Sequence, residues 1–284
     1  MHTTTAVLRP LPFLVVLACS VSAGAVRAAA ESSEPEIVHF QSQSGVLGGE
    51  VFKPKGSGPF PAILYNHGSA PGMLNGQASK SIGPLFAAKG WIFFMPYRRG
   101  QGLSAQAGRY IGDEVSDARK RGGLAEGADT LSRLLSTDHL QDQLAALRWL
   151  KAQSFVQPDR VAVAGNSFGG VESVLGAANA SYCAAVDASG GAESWKAAPE
   201  LREIMKTAVR RSNSPILFFQ AENDFDLSPS KALVAEMKQA GKEGAIRIYP
   251  PYGSSAQDGH SFAYMGASTW FPDVFAFIQK HCTP

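Results

Sequence analysis

The chain has 284 residues, of which 45% are hydrophobic and 18% charged, an ordinary globular composition that allows one large α/β domain or two small ones. Its 26 basic and 24 acidic residues include Arg9 and Arg27 near the N-terminus, so the balance over residues 31–284 is 24 against 24. A surface so close to neutral gives no support for binding to nucleic acid or to an anionic membrane.

The first 30 residues have the pattern of an export signal. Arg9 precedes an apolar run over residues 11–18, which is too short for a permanent membrane span, and Ala28-Ala29-Ala30 offers a signal-peptidase site. A competing interpretation takes Cys19, which follows Val-Leu-Ala, as the lipid-anchored cysteine of a bacterial lipoprotein. We favour simple secretion, and either interpretation predicts a secreted or periplasmic protein.

Downstream of this segment, apolar runs and turn residues predict alternating strands and helices, with no internal repeat and no sign of a second domain. The predicted strands are a hairpin of 37–41 and 46–54, followed by 61–66, 91–96, 161–164, 183–188, 215–220 and 245–249. The predicted helices cover 79–89, 130–153, 171–180, 193–212, which is polar, a segment that starts at 228, and 268–279, which closes the chain. Residues 97–127 are predicted as a glycine-rich loop whose basic run 119–121 is solvated, and a second loop passes through residue 260. This alternation predicts a mainly parallel sheet of about eight strands, with helices on both faces and ligands bound beyond the carboxyl ends of the strands.

Two cysteines remain once Cys19 is assigned to the export signal. Cys183 precedes a predicted strand and Cys282 follows the last predicted helix. In an oxidising compartment such a pair can form a lasting disulfide. Two buried free thiols are the alternative, and the sequence does not decide between them.

The segment Gly165-Asn166-Ser167-Phe168-Gly169 lies between a buried-strand pattern and a helix pattern. This is the context of a nucleophile elbow, in which glycines let strand and helix approach closely and a strained serine is lifted clear of the sheet. The serine also lies beside the amino end of the helix, where backbone N–H groups favour a developing negative charge. We predict Ser167 as a nucleophile.

A serine hydroxyl needs a base within hydrogen-bond reach, and the base needs an acid to orient it. Among the six histidines, His260 follows the last predicted strand and is the best candidate base. The candidate acids are Asp187, Asp224, Asp226 and Asp258. Asp258 is too close in sequence to His260, and Asp187 ends a strand before the usual acid position. Spacing alone does not decide between Asp224 and Asp226.

With these motifs the chain resembles an α/β-hydrolase, and most of all the dienelactone hydrolase family. The resemblance covers residues 37–280 and is specific at the elbow, at His67-Gly68, at Asp224 three residues after a strand-ending alanine, and at Gly259-His260-Ser261-Phe262. It implies a single α/β-hydrolase domain over residues 31–284 and Asp224 as the acid. Dienelactone hydrolase proper uses a cysteine nucleophile, so the serine of this chain favours general ester hydrolysis.

An oxyanion hole in this fold draws one N–H from the residue after the nucleophile and one from the loop after the third strand. These positions predict Phe168 and Ser69, the latter because His67-Gly68-Ser69 resembles the His-Gly segment of esterases. We expect His67 itself to pack or hydrogen-bond within its loop, and His139, at a helix start, to be structural.

Arg98 and Arg99 follow a predicted strand and carry forked donors that suit carboxylates. We favour the alternative that they hold the adjoining loop. No spacing of His, Cys, Asp and Glu predicts a metal site, and no glycine-rich phosphate loop opens an early helix, so the sequence predicts no cofactor.

Together these features predict a secreted serine hydrolase that cleaves small-molecule carboxylic esters through an acyl-enzyme. A peptidase of the prolyl-oligopeptidase type is the nearest alternative, although the sequence shows no propeller domain. A binding protein that keeps the fold without turnover is the third possibility.

Overall fold

The computed structural model describes residues 1–2, 34–69 and 76–283, and the described residues from 34 onwards group into one compact unit. Apart from its first two positions, the predicted export signal of residues 1–30, with Cys19 and the alanine cleavage site, lies outside the described residues. None of the helices in the described ranges is long and apolar enough to cross a membrane.

One sheet with flanking helices forms the described structure. Its strands are β1 (Glu36–Ser42), β2 (Gly45–Phe52), β3 (Phe60–Asn66), β4 (Ile92–Pro96), β5 (Val156–Asn166), β6 (Ala185–Ala188), β7 (Ile216–Ala221) and β8 (Gly244–Tyr249). The helices are α1 (Gln77–Ala88), α2 (Ile111–Ser136), α3 (Asp138–Lys151), α4 (Phe168–Asn179), α5 (Pro199–Arg211), α6 (Ser228–Gln239), α7 (Ala256–Met265) and α8 (Ala267–His281), with a 3-10 helix at Gly102–Ala107.

The strands follow the order β1-β2-β4-β3-β5-β6-β7-β8 across the sheet. Strand β2 pairs antiparallel with β1 and β4, and all other pairs are parallel. The predicted mainly parallel sheet is therefore confirmed. The order reverses between β3 and β5, which meet where Asn66 is the register partner of Gly165. A reversal of this kind opens a crevice beyond the carboxyl ends of the two strands.

Apolar side chains cover both faces of the sheet. Neighbouring residues of β3 alternate between the faces, with Leu64 in one core cluster and Ile63 and Tyr65 in the other. The first cluster includes buried side chains of α2 to α6, and the second includes those of α1, α7 and α8. Strands buried on both faces appear in the sequence as continuous apolar runs, which is why the central strands were predictable.

The predicted loop over residues 97–127 is wrong. It contains the 3-10 helix and the first part of α2, and the predicted helix over residues 130–153 divides at Thr137 into the end of α2 and α3. Non-helical backbone interrupts α2 at Gly122 and Gly123, and the φ of Gly123 is 79°. A glycine pair inside a largely polar helix weakens the helical pattern, so the sequence indicated a loop.

The predicted loop through His260 is also wrong, because this residue lies on α7. Ser255 caps the helix by accepting a hydrogen bond from the N–H of Asp258, whose side chain accepts in return from the N–H of Ser255. This capping box starts the helix and fixes the turn on which His260 is carried.

Cys183 and Cys282 form a disulfide, with their Cα atoms 5.0 Å apart. The bridge joins the segment before β6 to the residue that follows α8, and it closes a sequence separation of 99. Of the two alternatives that the sequence left open, the structure contains the bridge.

Candidate active site

Ser167 occupies a strained turn between β5 and α4. Its φ is 55° and its ψ −121°, a left-handed backbone that a serine rarely adopts. The turn is tight enough that a Cβ on Gly169 would lie 1.9 Å from the carbonyl oxygen of Asn66. Glycine is required there, and the resulting close approach of α4 to the sheet leaves the serine at the carboxyl end of β5.

Ser167, His260 and Asp224 form one hydrogen-bonded chain. The Oγ of Ser167 lies 2.9 Å from Nε2 of His260, and Nδ1 of His260 lies 2.8 Å from Oδ1 of Asp224. An ionised carboxylate only accepts, so Nδ1 donates its proton to Asp224 and Nε2 is left to accept from the serine hydroxyl. The geometry is that of a serine with a base in place and an acid that fixes the tautomer of the base.

The Asp224 side chain has no exposed surface and is held by several donors. Besides His260, the amide of Gln220 donates to Oδ2 at 2.7 Å and the N–H of Phe225 to Oδ1 at 2.7 Å. Burial by itself would raise the pKa of this carboxyl, but hydrogen bonds from His260, Gln220 and Ser189, with the charge of His260, hold the pKa below its ordinary value. The carboxylate is therefore kept ionised beside the imidazole.

The other three candidate acids serve elsewhere. Asp226 accepts from the N–H of Ser228 at 2.8 Å, next to the start of α6. The Asp258 side chain belongs to the capping box of α7. Asp187 accepts from the N–H of Gly190 at 2.7 Å, and its burial is the main cause that raises its pKa to about 7.

A cavity of about 540 Å³ opens over Ser167 and His260. Both residues predicted for the oxyanion hole, Ser69 and Phe168, line it. Ser69 follows β3 and Phe168 opens α4, and the pairing of β3 with β5 places these two segments side by side. The N–H of Gly68 already donates to the side chain of Asn166 at 3.2 Å, so that donor is engaged within the protein.

Arg98 is buried and ties the segment of residues 67–69 to helix α4. Its guanidinium donates to both carboxylate oxygens of Glu172 on α4, at 3.0 and 2.8 Å, and to the carbonyl of His67 at 2.7 Å. It also lies 3.4 Å from the hydroxyl of Ser69. A bidentate pair of this kind fixes orientation as well as distance, so Arg98 holds the segment that precedes the cavity.

His67 and Arg99 are likewise engaged within the protein. Nε2 of His67 accepts from the N–H of Arg98 at 3.1 Å, so Nδ1 carries the proton and donates to the carbonyl of Gly68. Burial, with the nearby charge of Arg98, lowers the pKa of His67 to about 3, which keeps the ring neutral. Arg99 forms a salt bridge with Asp142 at 2.5 Å. These contacts match the expectation that the residues hold loops.

His139 is buried on α3, and among the described residues neither of its ring nitrogens has a hydrogen-bond partner. Burial, followed by the charges of Arg98 and Arg99, lowers its pKa to about 2. It lies outside the cavity over Ser167, as expected for a structural residue.

The sequence profile described as the dienelactone hydrolase family matches residues 47–271, a range that contains Ser167, Asp224 and His260. The chain belongs to the dienelactone hydrolase family. As a member of this family it is a hydrolase. A search of curated proteins found no match.

Several solved structures resemble this dienelactone hydrolase family member. Acylaminoacyl peptidase from Pyrococcus horikoshii is 17% identical with a TM-score of 0.62, and the match covers 88% of this chain and 42% of the other. A puromycin-hydrolyzing peptidase from Mycobacterium tuberculosis is 17% identical with a TM-score of 0.61, over 88% and 40% of the two chains. Dipeptidyl peptidase 4 from Porphyromonas gingivalis is 14% identical with a TM-score of 0.58, over 87% and 35%.

The family member thus spans about two-fifths of the length of the first two structures. Likeness at these identities establishes the predicted α/β-hydrolase fold and leaves activity to be argued from the site.

Sequence reasoning missed the residues that support and line the site of this family member. Ser189, which bonds to Asp224, has a φ of 61°, and Gln220 orients the same carboxylate. Tyr110 and Glu193 line the cavity. Only Gln220, at the end of a predicted strand, carried a positional signal. The others enter the site through turns that no motif marks.

Proposed function

We propose that this hydrolase is a serine esterase that cleaves carboxylic esters through an acyl-enzyme. The observation that carries the proposal is the hydrogen-bonded chain of Ser167, His260 and Asp224, of which Ser167 and His260 line an open cavity. A serine hydroxyl 2.9 Å from an unprotonated imidazole nitrogen is arranged for attack on a carbonyl carbon.

In this mechanism the Oγ of Ser167 attacks the ester carbonyl while Nε2 of His260 takes the hydroxyl proton. Asp224 stabilises the imidazolium that forms. The N–H groups of Phe168 and Ser69 stabilise the oxyanion of the tetrahedral intermediate, which collapses to release the alcohol with the proton from His260. A water molecule then attacks the acyl-enzyme with the same base, releasing the acid and restoring the serine.

A peptidase of related mechanism is the second candidate. It is favoured by the fold match to peptidases that are named for cleaving acylaminoacyl, dipeptidyl and puromycin substrates. Against it stands the low identity of the first match, 17%, at which a shared fold carries no activity with it. The amine that leaves an amide also depends more on protonation by the imidazolium of His260 than the alcohol that leaves an ester does.

A panel of short 4-nitrophenyl esters and aminoacyl 4-nitroanilides separates the candidates. An esterase cleaves the esters with a kcat/KM far above that for the anilides, and Ser167→Ala abolishes cleavage. Faster cleavage of the anilides would make the protein a peptidase. If the folded protein binds the esters but cleaves neither class of substrate, it is a binding protein.

We also propose that the protein is exported, as a secreted or periplasmic enzyme with its signal removed after Ala30. The disulfide between Cys183 and Cys282 supports an oxidising location. Mass spectrometry of protein expressed in a bacterium and recovered from the periplasm tests this. A mature N-terminus at Glu31 is expected, lipid on Cys19 would indicate the anchored form, and retention of residues 1–30 in the cytoplasm would contradict export.

A further inference from the structure

The cavity over Ser167 carries one uncompensated negative charge. Among its described lining residues, Glu193 is the one carboxylate, and none is a lysine or an arginine. The remaining lining residues are neutral except for His260, which changes charge during the proposed reaction. Apart from His260, the one charged side chain in the described lining is therefore negative.

Glu193 lies in the segment between β6 and α5, and its side chain is about half exposed. Its Oε2 lies 3.6 Å from Nε2 of His260, the same nitrogen that lies 2.9 Å from the Oγ of Ser167. That separation is too long for a hydrogen bond but lies within the range of an ion pair when the imidazole is protonated. Glu193 and the Ser167 hydroxyl therefore share this nitrogen as a neighbour, which brings the carboxylate close to a substrate bonded to the serine.

Within the described part of the chain, the nearby basic side chains form their ion pairs with other acids. Lys196, three residues along, lies 3.7 Å from Asp226, and Arg98 is paired with Glu172. Glu193 makes its one described ion-pair contact with His260, whose Nε2 also lies within hydrogen-bond distance of the Ser167 hydroxyl. Its charge is left for whatever occupies the cavity.

We propose that Glu193 forms a subsite for a cationic group, an ammonium or a guanidinium, on the substrate beside the scissile carbonyl. This inference rests on the proposed hydrolase function and specifies its substrate class. Opposite charges attract more strongly in a partly enclosed site than in free solution, and an anionic substituent is repelled from the same place. Because Glu193 lies next to Nε2 of His260, its carboxylate can contact a cationic group on either the acyl or the alcohol side of the ester.

Two pairs of isosteric esters test the subsite. Butyrylcholine and 3,3-dimethylbutyl butyrate differ by a cationic nitrogen in place of a carbon on the alcohol side. The 4-nitrophenyl esters of 4-(trimethylammonio)butanoic and 5,5-dimethylhexanoic acid differ in the same way on the acyl side. We expect kcat/KM to favour the cationic ester by about tenfold in at least one pair, equivalent to about 1.4 kcal/mol, and this preference to shrink as salt is added.

The decisive quantity is the change in this ratio on Glu193→Gln, because a quaternary nitrogen also alters the reactivity of the ester itself. We expect the substitution to lower the ratio about tenfold. Glu222→Gln is the matched control, since Glu222 is an exposed acid that follows β7 at the same edge of the sheet and does not line the cavity. It should leave the ratio unchanged.

A role for Glu193 in stabilising the imidazolium of His260 would lower the rate for both members of a pair and leave their ratio intact. An unchanged ratio in both pairs therefore overturns the subsite, although the esterase function would stand. If none of the four esters is cleaved, the panel of short 4-nitrophenyl esters decides whether the proposed function fails, and calorimetry of butyrylcholine with Ser167→Ala tests the subsite separately. Binding at least fivefold tighter than to Ser167→Ala/Glu193→Gln supports it, and equal or undetectable binding by both overturns it.

Discussion

At the scale of single residues, the proposed role of Ser167 as nucleophile depends on which nitrogen of His260 carries the proton. Asp224 fixes Nδ1 of His260 as a donor, so that Nε2 faces the serine hydroxyl as an acceptor. The carboxylate can do this because His260, Gln220 and Ser189 keep its pKa low in a buried position. The proposed acid is thus distinguished from the other candidate aspartates by its contact with His260 rather than by its residue type.

Asp224→Asn is expected to lower kcat for a 4-nitrophenyl ester by about 10⁴-fold, because an amide favours the wrong imidazole tautomer. Asp226→Asn, the matched control two residues along, should stay within a few-fold of wild type, since Asp226 contacts the start of α6. Steady-state kinetics of the two variants decide the assignment. A larger loss in Asp226→Asn would move the acid to that residue.

Asp187 gives a prediction for stability against pH. Burial raises its pKa to about 7 in the folded protein, from an ordinary 3.8, so the folded state keeps a proton that the unfolded state loses above about pH 4. The stability associated with this group is therefore present below pH 4 and is lost as pH rises towards 7, by up to about 4 kcal/mol.

Asp187→Asn removes this titration and can still accept from the N–H of Gly190. Urea unfolding at pH 4 and pH 7 should show a smaller fall in the free energy of unfolding for the variant than for wild type. Parallel falls in the two proteins would show that Asp187 ionises normally in the folded state.

At the scale of elements, the site depends on how the segment after β3 is fastened to the helix after β5. The Arg98 and Glu172 pair is buried and bidentate, and Arg98 also holds the carbonyl of His67. Removing one member of a buried pair leaves an uncompensated charge, which typically costs about 3–5 kcal/mol.

Arg98→Met is expected to lower the free energy of unfolding by about that amount, and Arg98→Met/Glu172→Leu to recover most of it because the orphaned carboxylate is gone. Activity should stay low in both, since the segment carrying Ser69 has lost its anchor. Urea unfolding and ester kinetics on the same samples check this. Activity that returns together with stability would show that Arg98 does not position the segment.

Elements with continuous buried patterns were predictable from sequence, and those built on polar surfaces were not. Strand β5 and the elbow were located because apolar residues run directly into the glycine-flanked serine. The first part of helix α2 was missed because glycines interrupt a largely polar helix. The same distinction holds for the residues around the candidate site. Ser189 hydrogen-bonds to Asp224 from a left-handed backbone conformation that exists only in the folded chain, so no sequence pattern predicted it.

At the scale of the whole molecule, three distant residues meet because parallel strands present their carboxyl ends at one edge. The disulfide between Cys183 and Cys282 constrains the chain over a separation of 99. Cys183→Ser/Cys282→Ser should lower the free energy of unfolding by about 2–5 kcal/mol, mainly by freeing the unfolded chain. Urea unfolding with and without reductant checks this, and reductant should not affect the double variant. Equal free energies of unfolding for the double variant and the oxidised wild type would show that the disulfide does not stabilise the fold.

The most direct measurement is covalent labelling by a fluorophosphonate, with the modified peptide mapped by mass spectrometry. This reagent reacts with a serine whose proton can be taken by a neighbouring base. One adduct on Ser167 is predicted in the wild-type protein and none in folded Ser167→Ala. Equal labelling of the two proteins, or an adduct on a different serine, would contradict the assignment of Ser167 as the nucleophile.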